Sequence, residues 1–137
     1  MSAPGRLTLT VVTPERSVVE RVACDAVSLP GELGELGILP GHTPLVSLLA
    51  VGRVVWTDAG RKTSVAVRGG FAEVADDSVR VLADLAAERD AIDAAEAREE
   101  LGAGDARRLA VVGQEQLDAV NGDIAFAEAK LAVAQGG

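Results

Sequence analysis

The sequence predicts an antiparallel all-β sandwich or flattened barrel followed by a C-terminal α-helical hairpin. Three observations carry that expectation. Up to about residue 85 the apolar residues fall in short alternating runs, which is the period of a strand. Turn sequences separate those runs and no helix-length segment intervenes, so consecutive strands pair directly and build a sandwich or barrel. From residue 86 onward glycine and proline thin out, alanine and glutamate rise, and the apolar spacing lengthens to three and four.

The elements follow in order. Leu7, Leu9 and Val11 alternate as a first strand, closed by the turn Thr13-Pro14-Glu15. Residues 22–29 form the next apolar run. Residues 29–44, LPGELGELGILPGHTP, hold four glycines and three prolines between two β-rich stretches. Glycine reaches positive φ without steric cost and proline fixes φ, so the expectation here is a loop of definite shape that presents its side chains outward. Those side chains are Glu32, Leu33, Glu35, Leu36, Ile38 and His42. Strands then recur at 51–56, at Thr63, Val65 and Val67, at 71–74 and at 79–82, with Asp58-Ala59-Gly60, Gly69-Gly70 and Asp76-Asp77-Ser78 as the turns between them.

In the tail, Leu109, Leu117, Val120, Ile124, Ala127, Leu131 and Ala134 make a helical stripe. Gly102 and Gly104 before Asp105 read as a helix stop and an N-cap, which places the hairpin turn at 102–105, and a turn at Val112-Gly113-Gln114 fits as well. The change of period divides the chain into a sandwich domain, 1–86, and a helix-hairpin domain, 87–137, with net charges of −2 and −6. The tail's stripe is thin and rich in alanine, so its stability depends on docking.

Composition narrows the function. A chain of 137 residues with 48% apolar content can bury a core, and its net charge of −8 repels a phosphate backbone. Trp56, Phe71 and Phe126 are the whole aromatic inventory, too few for base-stacking platforms, so nucleic acid is not an expected partner. Trp56 reads either as core or as part of a partner-binding face. Cys24 is alone and reads as a small buried hydrophobe in a reducing compartment. No secretion-signal pattern opens the chain, and its longest nearly apolar run, 45–51, falls far short of the roughly 20 residues that span a bilayer.

Chemical constellations are missing. Neither a phosphate-binding G-x-x-x-x-G-K-[S/T] nor a G-x-G-x-x-G occurs, and one histidine with one cysteine cannot assemble an ordinary zinc site. A nucleophile would have only His42 as its histidine base, and Asp76 with Asp77 reads as turn-shaping acids rather than a catalytic pair. The expectation is no catalytic residue, no cofactor and no metal. His42 has two readings, a ring that satisfies loop carbonyls or a contact residue. Glu32 and Glu35 are either solvated acids or docking groups, and Leu33 and Leu36 either pack back on the core or face a partner.

These residues carry a family resemblance. The string GELGILPGHTPL resembles the signature loop of the epsilon subunit of rotary F-type ATP synthases, LTVVTPER resembles that family's first strand and turn, and VRGGFAEVADDSVRVLAD resembles its last sandwich strands. The resemblance implies a non-catalytic rotor subunit that couples proton flow to ATP synthesis. Its sandwich would join the gamma subunit to the proteolipid c-ring, with transient contacts to the alpha and beta subunits. Glu32, Leu33, Glu35 and His42 then stand at ring-contact positions. Membrane association, at the cytoplasmic face of the inner cell membrane, comes only through the complex. The resemblance also implies a tail that inhibits hydrolysis through basic side chains, for which this chain offers Arg107, Arg108 and Lys130. Relatives bind ATP through I/L-D-x-x-R-A. Here Ile92, Asp93 and Ala97 match but Glu96 replaces the arginine, so the motif is expected not to bind. The rival reading is a free-standing β-sandwich interaction module with an acidic hairpin.

Overall fold

A computed structural model describes residues 5–136. Ten strands precede two helices: β1 (Leu7–Val12), β2 (Ser17–Cys24), β3 (Ala26–Gly31), β4 (Gly34–Ile38), β5 (Leu45–Leu48), β6 (Gly52–Asp58), β7 (Arg61–Arg68), β8 (Phe71–Ala75), β9 (Ser78–Leu82), β10 (Leu85–Glu88), α1 (Ala94–Arg108) and α2 (Gln114–Ala134). They form two five-stranded sheets, ordered β2-β1-β9-β8-β5 and β10-β7-β6-β3-β4. Leu7, Leu9 and Val11 from one sheet meet Val27, Leu29, Val54 and Val65 from the other, all essentially sealed from solvent. Trp56 is in this core as well.

The run at 22–29 is not one strand. It breaks at Asp25, with β2 before it in the first sheet and β3 after it in the second. A bulge also bends β2, because two steps from Leu9 to Val11 oppose three from Val22 to Val19, and Arg21 inside it takes a φ of 46°. One neighbouring pair, β1 with β9, is parallel. Those strands are far apart in the chain, so no hairpin imposes their direction. The second sheet runs on to Glu88, where β10 pairs with β7.

The helices correct the first placement of the hairpin turn. Gly102 and Gly104 lie inside α1, Asp105 caps nothing, and the chain turns between Arg108 and Gln114 with Gly113 at a φ of 87°. Gly104 is there for contact. A Cβ on it would stand 2.7 Å from Cγ1 of Ile124, so the glycine lets α1 and α2 approach closely. The true start of α1 is Asp93, whose carboxylate accepts from the amides of Ala95 at 2.9 Å and Glu96 at 3.2 Å.

The hairpin is docked. Ala129 and Val133 of α2 pack on Ala66 of β7, with Ile92 and Phe126 beside them. Arg68 of β7 reaches up to Asp123 at 2.6 Å, and Arg107 of α1 reaches the other oxygen of the same carboxylate at 3.2 Å. The hydrogen bond from Arg68 holds the Asp123 carboxyl below its usual range against the opposing effect of burial. Gly122 leaves room for that guanidinium, since a Cβ there would lie 2.6 Å from one of its terminal nitrogens. One clasp therefore ties sheet, α2 and α1 together.

Candidate protein-docking site at the hairpin tip

The segment 29–44 is not an irregular loop. Most of it is the β3–β4 hairpin, registered from Val27 opposite Ile38 to Gly31 opposite Gly34, with Glu32 and Leu33 as its two-residue tip. Gly31 is required here, because any Cβ would stand 2.5 Å from the Gly34 carbonyl oxygen. The tip is held from the other sheet. The Glu32 amide donates to the Leu48 carbonyl at 3.0 Å, the Ala50 amide to Pro30 at 2.9 Å, and Gly31 bridges Leu49. These bonds across the open end of the sandwich fix the tip against shear.

On this stiff base stands Leu33, at 103% of full exposure. Beside it a groove of about 500 Å³ runs between the edge strands β4 and β5, lined by Glu32, Leu33, Glu35, Leu36, Val46 and Leu48 among others. Val46 and Leu48 are 68% and 62% exposed, so the groove is an apolar surface open to solvent. Glu35, on the rim, accepts a hydrogen bond from the Ser28 hydroxyl. Leu36 and Ile38 instead turn inward, Leu36 against the core and Ile38 within it.

His42 is elsewhere. It follows the far end of β4, about 16 Å along the strand from the tip, and is absent from the groove lining. Its Nδ1 lies 2.6 Å from the Thr43 carbonyl, which can only accept, so that nitrogen carries the proton. The Asp77 carboxylate holds the neighbouring Gly41 amide at 2.7 Å. Asp76 and Asp77 form a left-handed turn, with φ of 51° and 59°.

In the tail, Ile92 packs under α2, Asp93 is the helix cap, Ala97 is buried, and Glu96 is exposed. These residues edge a small groove that also holds Lys130, whose Nζ is 2.7 Å from Glu100 and 5.1 Å above the Phe126 ring. Arg108 pairs with Asp105 at 2.7 Å. With Arg107 on Asp123, all three basic residues singled out for inhibitory contacts are paired with acids of the chain itself. Among the described residues no group of three histidines, cysteines or acids could hold a metal ion.

Sequence reasoning missed the hairpin and its cross-sheet ties. The signal was present in Gly31 and Gly34 flanking a two-residue tip, but the density of glycine and proline obscured it.

Residues 6–89 match the family model described as ATP synthase, Delta/Epsilon chain, beta-sandwich domain. The ATP synthase epsilon chain of Solibacter usitatus is 46% identical over 90 residues, covering 66% of this chain and 66% of that one. An ATP synthase epsilon chain of Syntrophotalea carbinolica is 41% identical over 102 residues, covering 74% of this chain and 73% of that one. A chain in the cryo-EM structure of the Euglena gracilis mitochondrial ATP synthase shares the fold, with a TM-score of 0.79 at 23% identity over 98% of this chain and 84% of its own.

Proposed function

We propose the following function from one premise: this chain belongs to the ATP synthase delta/epsilon family. It is the non-catalytic central-stalk subunit of a proton-translocating F-type ATP synthase. Its sandwich connects the gamma subunit to the proteolipid c-ring, so that torque from ion flow reaches the alpha and beta subunits of the catalytic head. No bond is made or broken on the chain itself.

The observation that carries this reading is the tip: an aliphatic knob, Leu33, flanked by the carboxylates of Glu32 and Glu35 and braced by bonds from both sheets. A joint that transmits torque needs such stiffness. Leu33 fills an apolar recess between ring loops, and the two acids select basic neighbours. His42 supports the loop after β4 rather than sharing the knob's contact. No described helix is long and apolar enough to cross a membrane, and the chain sits peripherally at the cytoplasmic membrane face through its partners.

The sandwich, β1 to β10, serves as the connector and the hairpin of α1 and α2 as a weak regulator of hydrolysis. Arg107, Arg108 and Lys130 must leave their acids before they can meet a catalytic subunit, which weakens any inhibitory grip. ATP is not a ligand, because Glu96 faces the same groove as Lys130, whose charge Glu100 already holds.

The test is proton pumping by the assembled complex carrying Glu35→Lys. Loosened coupling is expected, and full coupling contradicts the docking role. Native pull-down of the chain without any ATP synthase subunit would support a free-standing interaction module instead.

A further inference from the structure

Arg6, Arg16, Arg68, Arg107, Arg108 and Lys130 each hold an acid of the chain itself. Three other cations gather in one groove and, among the described residues, make no ion pair. Arg61 and Lys62 open β7, and Arg89 begins the short 3₁₀ turn Arg89–Ala91 that follows β10. With Thr63, Ser64 and the C-terminal end of α2 they enclose about 270 Å³.

Register explains the gathering. β10 leaves its ladder at Glu88, opposite Val65, so β7 from Arg61 to Ser64 carries no further strand on that edge. Ser64 is buried and forms the floor. The Arg89 guanidinium lies against the end of α2, its Nη1 3.6 Å from where a Cβ on Gly136 would stand, and the negative pole of the helix favours a cation there. Acids that could neutralise the cluster are engaged elsewhere. Asp58, opposite Arg61 across the β6–β7 turn, pairs with Arg6, and Glu88, one residue before Arg89, holds Arg16 at 2.9 Å. Asp90 does not line the groove. Three like charges held together repel one another, a cost that an anion seated between them removes.

The donors select the ion. Each guanidinium presents a planar fork to oxygens, the ammonium adds a point charge, and the Thr63 hydroxyl is a further donor. Four donor side chains match the four oxygens of a free tetrahedral anion and leave none for a bridging bond, so ATP, whose phosphates all carry one, is a poor fit. The volume agrees, since pockets for drug-sized ligands run from roughly 300 Å³ upward. A bilayer headgroup is disfavoured as well, because the site is concave and the net charge of −8 repels an anionic membrane from the chain as a whole. A small ion in the groove feels mainly the charges within a Debye length, about 8 Å at physiological salt.

We infer that Arg61, Lys62, Thr63 and Arg89 bind free inorganic phosphate, at the end of the sandwich opposite the docking tip. The inference is independent of the proposed function.

The test titrates inorganic phosphate into the full chain at low ionic strength and follows amide NMR shifts. Saturable one-site binding in the millimolar range is expected, with shifts centred on 61–64 and 89. Arg89→Gln is expected to weaken it roughly tenfold. Arg61→Gln with Lys62→Gln, which leaves the contact of Arg89 with α2 in place, is expected to weaken it at least as much. Arg98→Gln, an exposed cation on α1 outside the groove, should leave it unchanged. Absence of saturable binding overturns the inference, as does an equal loss in Arg98→Gln, which would reduce the effect to net charge. Phosphatidylglycerol vesicles that bind through these cations while phosphate does not would overturn it by assigning them to a lipid surface. ATP that displaces phosphate from the groove would overturn the selection of a free ion.

Discussion

Two glycines two residues apart on α1 provide the sharpest test of how the hairpin is built. At Gly102 nothing lies within 4 Å of where a Cβ would go. Gly102→Ala therefore gains helix propensity at no steric cost, about 1 kcal/mol. At Gly104 the same methyl would stand 2.7 Å from Cγ1 of Ile124, a residue only 6% exposed. Cγ1 is held close to the α2 backbone, so relief requires a strained rotamer or a shift of one helix against the other. Overpacking of this kind costs about 1–3 kcal/mol, which the propensity gain only partly offsets, leaving Gly104→Ala destabilised by roughly 1 kcal/mol. The assay is amide hydrogen exchange across 94–108 on the full chain. Gly102→Ala should slow it roughly fivefold and Gly104→Ala speed it by a similar factor. Equal shifts in the two variants would refute the close approach of α1 and α2. Faster exchange in Gly102→Ala would refute the continuous helix and restore the turn at 102–105.

The remaining predictions concern the clasp, the ligand and the regulator. Asp123→Asn should loosen the docked hairpin at pH 7, seen as faster exchange in α2. The folded carboxyl titrates below its unfolded value, so its contribution is present above about pH 4 and fades as pH falls through the lower folded value. The difference between wild type and Asp123→Asn should shrink toward pH 3, and a constant difference would discount the charge. Calorimetric titration of the chain with ATP should give no binding at millimolar concentration, and a micromolar constant would refute the role given to Glu96. Truncation after Glu88, which keeps β10 in its sheet, should raise hydrolysis by the assembled head only slightly, against several-fold activation if the hairpin is a strong inhibitor.

The docking tip was only partly legible in the sequence. Alternation revealed the sandwich because one buried face forces a period of two, and Glu32, Leu33 and Glu35 could be picked out as presented side chains. Their separation from His42 could not. Nine residues of chain look adjacent on paper, but β4 converts them into a strand with His42 beyond one end and the tip at the other. Gly102 and Gly104 misled for a related reason. Sequence reads glycine as a stop, whereas at Gly104 the missing side chain serves a neighbour on another helix.

Local pattern alone determined that this protein is a strand-built body with a helical tail, that its sequence carries neither a phosphate-loop motif nor the histidines and cysteines of an ordinary zinc site, and that an acidic and aliphatic segment is presented outward at Glu32, Leu33 and Glu35. Those are properties of residues near one another in the chain. Tertiary structure decided what depends on distant partners: Asp123 shared between Arg68 and Arg107, the tip tied to Leu48, and Arg61, Lys62 and Arg89 gathered in one groove. Register across strands places those groups together, and register is set by the closing of the whole core rather than by any single segment.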